Sequence, residues 1–180
     1  MIKLRFCPEC KNELKEKVID GRIRITCPNC SFIFWDNPIP VVAGILVYKN
    51  KLVLVKPNYF PNNKWALVAG YVERGESAEQ ALIREVKEET NLNVKIIKPI
   101  ETYPVLKNEK NLLYIVFYVE ANDGEIKPSS EIEKVRLCTI DEAKIILKGT
   151  TAGKALNNWI SKREITILHT CISILLYHHK

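Results

Sequence analysis

What the chain lacks narrows it first. The opening MIKLRFCPEC holds no apolar run of the kind that starts a signal peptide, so the expectation is an unexported, cytoplasmic chain. Ile165 to Tyr177 is apolar over only 13 residues, short of the ~20 that a membrane-spanning helix needs, so no transmembrane segment is expected. There is no low-complexity tract, and no internal repeat apart from two cysteine pairs, which sets aside linker-like and solenoid architectures. Neither sign of charge dominates. Lys and Arg number 27 against 21 Asp and Glu, a net charge of +6 with pI near 8.9. That modest excess suits a polyanionic substrate and does not amount to a nucleic-acid signature. What remains is an ordinary composition, 47% hydrophobic and 27% charged over 180 residues, enough for one full domain and a small appendage.

Six cysteines in an unexported chain read as metal ligands and free thiols rather than disulfides. Four of them form two C-x2-C pairs, Cys7-Pro8-Glu9-Cys10 and Cys27-Pro28-Asn29-Cys30, with 16 residues between. Each pair makes a tight turn that aims two thiolates at one point, and two such turns complete a tetrahedral Zn2+ site. Arg22 to Thr26 alternates as a strand between them, and the whole resembles a zinc ribbon. Four cysteine ligands leave no open position, so this zinc is expected to be structural. The basic residues Lys11, Lys15, Lys17, Arg22 and Arg24 are interleaved in sequence with Glu13, Glu16 and Asp20. That mixture argues against a dedicated nucleic-acid stripe and for packing against the main domain or a second subunit.

The chain is organised around residues 70 to 92, GYVERGESAEQALIREVKEETNL. Ser77 is placed to cap a helix, with Gln80 as its capping-box partner, and Asn91 suits the left-handed residue that ends one. At about 100° per residue, Ala78, Ala81, Leu82 and Val86 define an apolar face. Glu85, Glu88 and Glu89 fall within or beside the same arc, spaced as helix neighbours. Glu79, Ile83 and Lys87 lie opposite, and Arg84 lies on the rim. Like charges cost about 4 kcal/mol per pair at 4 Å in a semi-polar setting, so a core-facing carboxylate cluster calls for a cation. Hard carboxylate oxygens suit a divalent metal.

Gly70, five residues, Glu76, seven residues, then Arg84-Glu85-Val86-Lys87-Glu88-Glu89-Thr90-Asn91-Leu92 resembles the Nudix box, G-x5-E-x7-R-E-U-x-E-E-x-G-U, where U is a bulky aliphatic. Only the final Gly differs, and Asn91 tolerates the positive φ required there. The resemblance implies an α+β fold, an α/β/α sandwich with a mixed sheet, preceded here by the small zinc ribbon. It implies hydrolysis of a nucleoside diphosphate linked to another group, with Mg2+ or Mn2+ held by Glu85, Glu88, Glu89 and the carbonyl of Gly70. It implies that Arg84 and Glu76 orient the ligating carboxylates. The general base is Glu89 or Glu131, with a plain loop carboxylate as the alternative for Glu131. A small-molecule nucleotide is the expected partner, with a homodimer possible and nucleic acid disfavoured.

In chain order, the expected domains are a ribbon over 1–36, the Nudix domain over 37–163 and an apolar tail over 164–180. Trp35 to Pro40 reads as a stiff, extended linker. Strands are expected at 41–48, 51–55, 65–69, 94–104 (broken at Pro99), 112–120 and 135–139, and helices at 141–147 and 150–162. Loops fill 58–64, 106–111 and 127–133. The tail is expected to pack as a helix or extended segment on the domain or at a subunit interface, or to touch a membrane peripherally. Its His169, His178 and His179 are taken as incidental. A ribbon before a Nudix domain resembles NADH pyrophosphatases, whose S-Q-P-W-P-F-P-x-S stretch is replaced here by Pro99-Ile100-Glu101-Thr102-Tyr103-Pro104-Val105-Leu106. The proline that marks typical ADP-ribose pyrophosphatases past the box is also absent. The expectation is therefore ADP-ribose or a related dinucleotide or sugar nucleotide, cleaved to a nucleoside monophosphate. The alternatives are a nucleotide-sensing regulator and an RNA cap-removing enzyme. Phe60, Trp65, Tyr71 and Tyr103 are candidates to stack a base, with core packing the other reading of Trp65.

Overall fold

The computed structural model describes residues 4–60, 64–107 and 110–163, so the expectations for the 164–180 tail lie outside the described residues. Two compact units emerge. Among the described residues, one comprises residues 4–39 together with 104–113, and the other comprises residues 40–103 with 114–163.

The first unit is built on a three-stranded antiparallel sheet of β1 (Lys15–Ile19), β2 (Arg22–Thr26) and β3 (Ile33–Phe34). Asp20 and Gly21, both at positive φ, make the two-residue turn between β1 and β2, the geometry that matches strand twist. The linker after β3 is not simply extended. Asp36 adopts φ 51°, and its carbonyl accepts a hydrogen bond from the Asn111 side chain at 3.2 Å. A carboxylate residue with a short polar side chain tolerates that backbone where most residues would not.

The second unit is a sheet in the order β7-β8-β4-β5-β9, with β6 paired to β4. The strands are β4 (Ile39–Tyr48), β5 (Lys51–Pro57), β6 (Val68–Tyr71), β7 (Asn93–Lys107), β8 (Lys110–Asp123) and β9 (Ile132–Cys138). Helix α1 spans Ala78–Thr90 and α2 spans Ile140–Ile146, with α3 over residues 151–163. Strand alternation sorts the apolar residues onto two faces. Val42, Leu46, Val53 and Val55 join Ala81, Leu82 and Val86 of α1 in one core. Ala43, Ile45, Leu52 and Leu54 join Ala143 of α2 and Ala155, Leu156 and Trp159 of α3 in the other. The sheet is thus covered on both faces, the expected α/β/α layering with a mixed sheet. Gly44 lets α1 approach, since a Cβ there would stand 3.2 Å from Leu82 Cδ1.

Three more expectations change. Pro99 does not break β7, which runs unbroken through it, and the loop at 106–111 is replaced by strands that continue to Lys107 and resume at Lys110. A proline costs a strand only one ladder donor and is accommodated on an edge, and β7 is the edge strand. The strand expected at 65–69 is shifted, with Ala66 making an isolated bridge to Val55 before β6 begins at Val68. That shift carries the end of β6 to Tyr71, and so places Gly70 within a strand beside α1.

Candidate active site

The helix α1 is held at both ends by its own sequence. Ser77 Oγ accepts from the Gln80 N–H at 3.2 Å, and Gln80 Oε1 accepts from the Ser77 N–H at 2.8 Å, a reciprocal capping box. Asn91 ends the helix at φ 63°, with its N–H on Lys87 O at 2.9 Å and its side-chain amide donating to Glu125 O at 3.2 Å. Leu82 and Val86 are fully buried and fix the rotation of the helix, while Ile83 on the opposite face stays 44% exposed. That rotation turns the carboxylates toward β6.

Gly70 meets Glu85 there. A Cβ on Gly70 would lie 1.9 Å from both Cδ and Oε1 of Glu85, so the carboxylate fills the space that any other side chain would need. The rim position expected of Arg84 is corrected, because its long side chain brings the guanidinium into the middle of the cluster. Its Nε and Nη2 grip both oxygens of Glu76 at 3.0 and 3.2 Å. Its Nη1 reaches Glu85 Oε1 at 2.7 Å and Glu88 Oε2 at 3.1 Å, and Nη2 also donates to Tyr71 O at 3.0 Å. The planar fork of five donors is what allows one side chain to serve three carboxylates and a carbonyl.

The three helix carboxylates are not equivalent. Glu88 is exposed, Glu85 is half-buried and Glu89 is buried at 8% exposure. Glu89 Oε2 has no hydrogen-bond partner. Burial, followed by the nearby Glu85 carboxylate, pushes Glu89 up to about 8, against the favourable Ala69 N–H. Burial also raises Glu85, opposed by Arg84. A buried carboxylate with an empty oxygen and acidic neighbours is a poor arrangement for stability alone. Hard oxygen donors, an unpartnered buried oxygen and a carboxylate seated on a bare glycine suit a divalent cation.

Glu131 follows the 127–130 loop and is fixed by its backbone, whose carbonyl accepts from the Asn58 N–H at 2.8 Å. Its charge lies within electrostatic reach of Glu85 and Glu89. Asn58 begins the segment that carries Tyr59, a residue the sequence did not single out. Tyr59 is 73% exposed and packs edge-on against Phe60, with centroids 5.2 Å apart. Its phenol lies within electrostatic reach of Glu89, Tyr114, Glu131 and Tyr71. The only sequence signal for it was an aromatic pair in a polar loop. Of the base-stacking candidates, Tyr71 is 46% exposed beside this cluster. Trp65 and Tyr103 belong to the core on the other face of the sheet, where the Tyr103 hydroxyl meets the Asn158 amide at 2.8 Å.

The cysteine site is more compact. Cys7, Cys10, Cys27 and Cys30 place all four sulfurs within 4.8 Å of one another, the only such group of three or more ligand atoms among the described residues. The Cys7–Cys30, Cys10–Cys27 and Cys10–Cys30 separations are 3.6, 3.4 and 3.7 Å. A tetrahedron with Zn–S bonds of ~2.3 Å has edges of about 3.8 Å, so the cluster fits zinc. Each pair sits in a tight turn. The Cys7 N–H donates to Asn12 O and Lys11 returns its N–H to Cys7 O at φ 60°, while the Cys27 N–H donates to Phe32 O.

A cysteine ribbon ahead of a two-faced sheet, with a glycine-bearing strand feeding a capped carboxylate helix, defines a ribbon-bearing Nudix fold. Residues 38–159 match the NUDIX domain and residues 5–36 match the Nudix N-terminal zinc ribbon, and the chain belongs to the Nudix family. It is similar to the NAD-capped RNA hydrolase NudC of Vibrio vulnificus, 26% identical over 156 residues that cover 85% of this chain and 58% of that protein. It is also similar to the ADP-ribose pyrophosphatase of Methanocaldococcus jannaschii, 34% identical over 101 residues, covering 54% of this chain and 60% of that one. The crystal structure of a NUDIX hydrolase from Nitrosomonas europaea superposes with a TM-score of 0.76 at 28% identity, over 89% of this chain and 93% of that one. The chain spans a little over half the length of the first curated relatives it matches. Among the described residues, no helix is long and apolar enough to cross a membrane.

Proposed function

We propose that the chain is a Nudix pyrophosphohydrolase. It cleaves the pyrophosphate bond of a nucleoside diphosphate linked to another moiety, ADP-ribose or a related dinucleotide or sugar nucleotide, and releases a nucleoside monophosphate. The observation that carries this reading is the buried, unpartnered Glu89 oxygen beside Glu85 and the bare Gly70.

Glu85, Glu88 and Glu89, with the carbonyl of Gly70, would hold Mg2+ or Mn2+. Such an ion, when bound, neutralises the pyrophosphate and acidifies a water. The protein supplies the rest. Arg84, clamped by Glu76, sets the positions of Glu85 and Glu88. Glu89 or Glu131 takes the proton as water oxygen bonds to phosphorus, and the electron pair of the broken P–O bond leaves on the departing phosphate. Tyr59 and Tyr71 offer exposed ring faces to a base. A cytoplasmic location belongs to the same reading and is supported by the grouping of Cys7, Cys10, Cys27 and Cys30 as a metal-ligand set, a use of cysteine that suits a reducing compartment. A homodimer is carried with it and is decided by gel filtration.

A second reading is hydrolysis of a nucleotide-capped RNA, favoured by the NAD-capped RNA hydrolases among the relatives. One screen separates the readings: ADP-ribose, NADH, sugar nucleotides and NAD-capped RNA, each with Mg2+ and with Mn2+. The E88Q protein runs beside the wild type, and we expect its turnover to fall by about 100- to 1,000-fold or more without loss of fold, the scale on which removal of a single charge-stabilising group acts. Metal-dependent release of a nucleoside monophosphate, lost in E88Q, supports the proposal. Nucleotide binding without turnover would replace it with a sensor.

A further inference from the structure

In sequence, the ribbon's cations and anions alternate so closely that they look like a neutral mixture. The strand register separates them. In β1 and β2, Lys17 pairs with Arg24, Lys15 with Thr26 and Ile19 with Arg22. Directly opposed residues share a face, and so do residues two apart along a strand. Lys15, Lys17, Arg22 and Arg24 therefore all project from one face of the hairpin. Glu16 falls on the other face, with Val18, Ile23 and Ile25.

Two further features belong to the basic face. None of its four cations has a carboxylate partner among the described residues, whereas Arg5 pairs with Glu13 elsewhere in the ribbon. The Arg24 guanidinium lies over the Trp35 ring, 5.3 Å from its centroid, and Nη1 donates to the Trp35 carbonyl at 2.6 Å. Trp35 itself is 45% exposed. Lys15, Lys17, Ile19, Thr26 and Ile33 of this face line an open groove of about 530 Å³, to which Glu16 also contributes, and Arg22, Arg24 and Trp35 stand outside that groove.

We propose that this face of the ribbon binds single-stranded RNA through its phosphodiester backbone, with Trp35 as a stacking platform for a base. Three cations without carboxylate partners on one face of a hairpin, Lys15, Lys17 and Arg22, beside an exposed aromatic held by Arg24, form the kind of arrangement that holds a single strand without reading its sequence. Cations two residues apart on a strand stand about 6.7 Å apart, so they follow a chain of charges better than they neutralise a single ion. This proposal adds to the hydrolase reading and does not depend on it.

The test uses the full chain and a labelled, uncapped oligouridylate, titrated by fluorescence anisotropy at several salt concentrations. In K15Q/K17Q/R22Q, binding weakens at least tenfold. The plot of log affinity against log salt flattens by about 2, because each lost contact to a single strand removes ~0.7 from the slope. W35A weakens binding with the slope unchanged. I23S, on the opposite face, changes neither. Zinc content by atomic absorption shows that each variant keeps its ribbon. Hydrolysis of ADP-ribose by the same preparations stands apart from the binding result, so failure of the hydrolase reading and failure of this one are separately visible. Wild-type binding that is absent, independent of salt, or equal in the triple variant overturns the proposal. Displacement by heparin of a ligand that oligouridylate cannot replace overturns it as well.

Discussion

The two candidate metal sites solve opposite problems. The four cysteines converge, with sulfurs 3.4–3.7 Å apart in the recorded pairs, and each turn is tied by its own backbone. The carboxylates of α1 do not close to that degree. They are spread around one arginine, and one of them is buried with an unpartnered oxygen. A saturated thiolate tetrahedron has nowhere to put a substrate and can only hold structure together. An unsaturated set of hard oxygens is less stable by itself, and it keeps the open positions that chemistry needs. On the proposed reading the free energy of the two sites goes to different ends: in the ribbon into folding, and in the box into a charge arrangement that a substrate and cation would complete.

The sharpest way to break this comparison is to remove one ligand from the closed site. C27S leaves three thiols and should release zinc. Structural zinc in comparable small sites is worth ~10–16 kcal/mol, more than so small a sheet supplies by burial, so residues 1–36 should lose their structure. Zinc content near zero and new protease cuts within the ribbon are the expected results. Unchanged zinc would mean that the four sulfurs are not its ligands. Residues 40–103 and 114–163 should keep their own cooperative melt, because both of their cores lie within the second unit.

G70A probes the open site without touching a charge. The added methyl would collide with the Glu85 carboxylate at 1.9 Å, so either Glu85 or β6 must move. Misplacing a catalytic group by about 1 Å costs on the order of 100-fold in rate, and overpacking costs roughly 1–3 kcal/mol of stability. Steady-state kinetics should show the loss chiefly in kcat. Wild-type turnover in G70A would detach Glu85 from the chemistry.

Much of this was legible in the sequence because the relevant residues act at fixed short spacing. The two C-x2-C turns, the Ser77–Gln80 capping box, the Asn91 helix stop and the carboxylate register of α1 are all local patterns. Arg84 was misplaced because a helical wheel locates Cβ atoms and not the end of a long side chain, and because Glu76 reaches it from the preceding turn. The ribbon's charge segregation was hidden for a related reason. Composition counts Lys15, Glu16 and Lys17 together, whereas a strand sends the middle one to the opposite face. Tyr59 and Glu131 meet through the Asn58 backbone contact across 73 residues of sequence, a tertiary fact with no local signature.

A subtler effect separates function from stability at Glu89. In metal-free protein its carboxyl stands at about 8 against an ordinary 4.5. Between those values the unfolded chain has lost its proton and the folded chain still holds it, so stability falls as pH rises through this window. Above about 8 the full penalty is present, and below about 4.5 there is none. E89Q removes the ionisation. In chelator it should therefore melt higher than wild type at pH 9, by roughly 1–3 kcal/mol, with the gap closing toward pH 4.5. The same variant should lose turnover. A stability gap independent of pH would show that burial of this carboxyl is not the cause. The cysteine site offers no counterpart, since removing any of its ligands is expected to destabilise.

The smallest expected effect lies where the sequence departs from the family pattern. Asn91 occupies φ 63°, a conformation that costs most residues about 1–2 kcal/mol and Asn or Gly much less. Its side-chain amide also donates to Glu125 O at 3.2 Å, a bond worth about 1 kcal/mol. N91G restores the family residue, relieving the backbone while giving up that bond, so the two changes offset and the melting midpoint should move by less than ~0.5 kcal/mol equivalent. N91A gives up the bond and takes the full backbone cost, so it should lose roughly 2 kcal/mol. Denaturant titration of both variants distinguishes the terms. Equal losses would assign the effect to the hydrogen bond alone, and a stabilised N91G would assign it to the backbone. In either case Glu89, two residues upstream, should keep its burial, because Leu82, Val86 and Leu92 anchor that part of the chain from the core side.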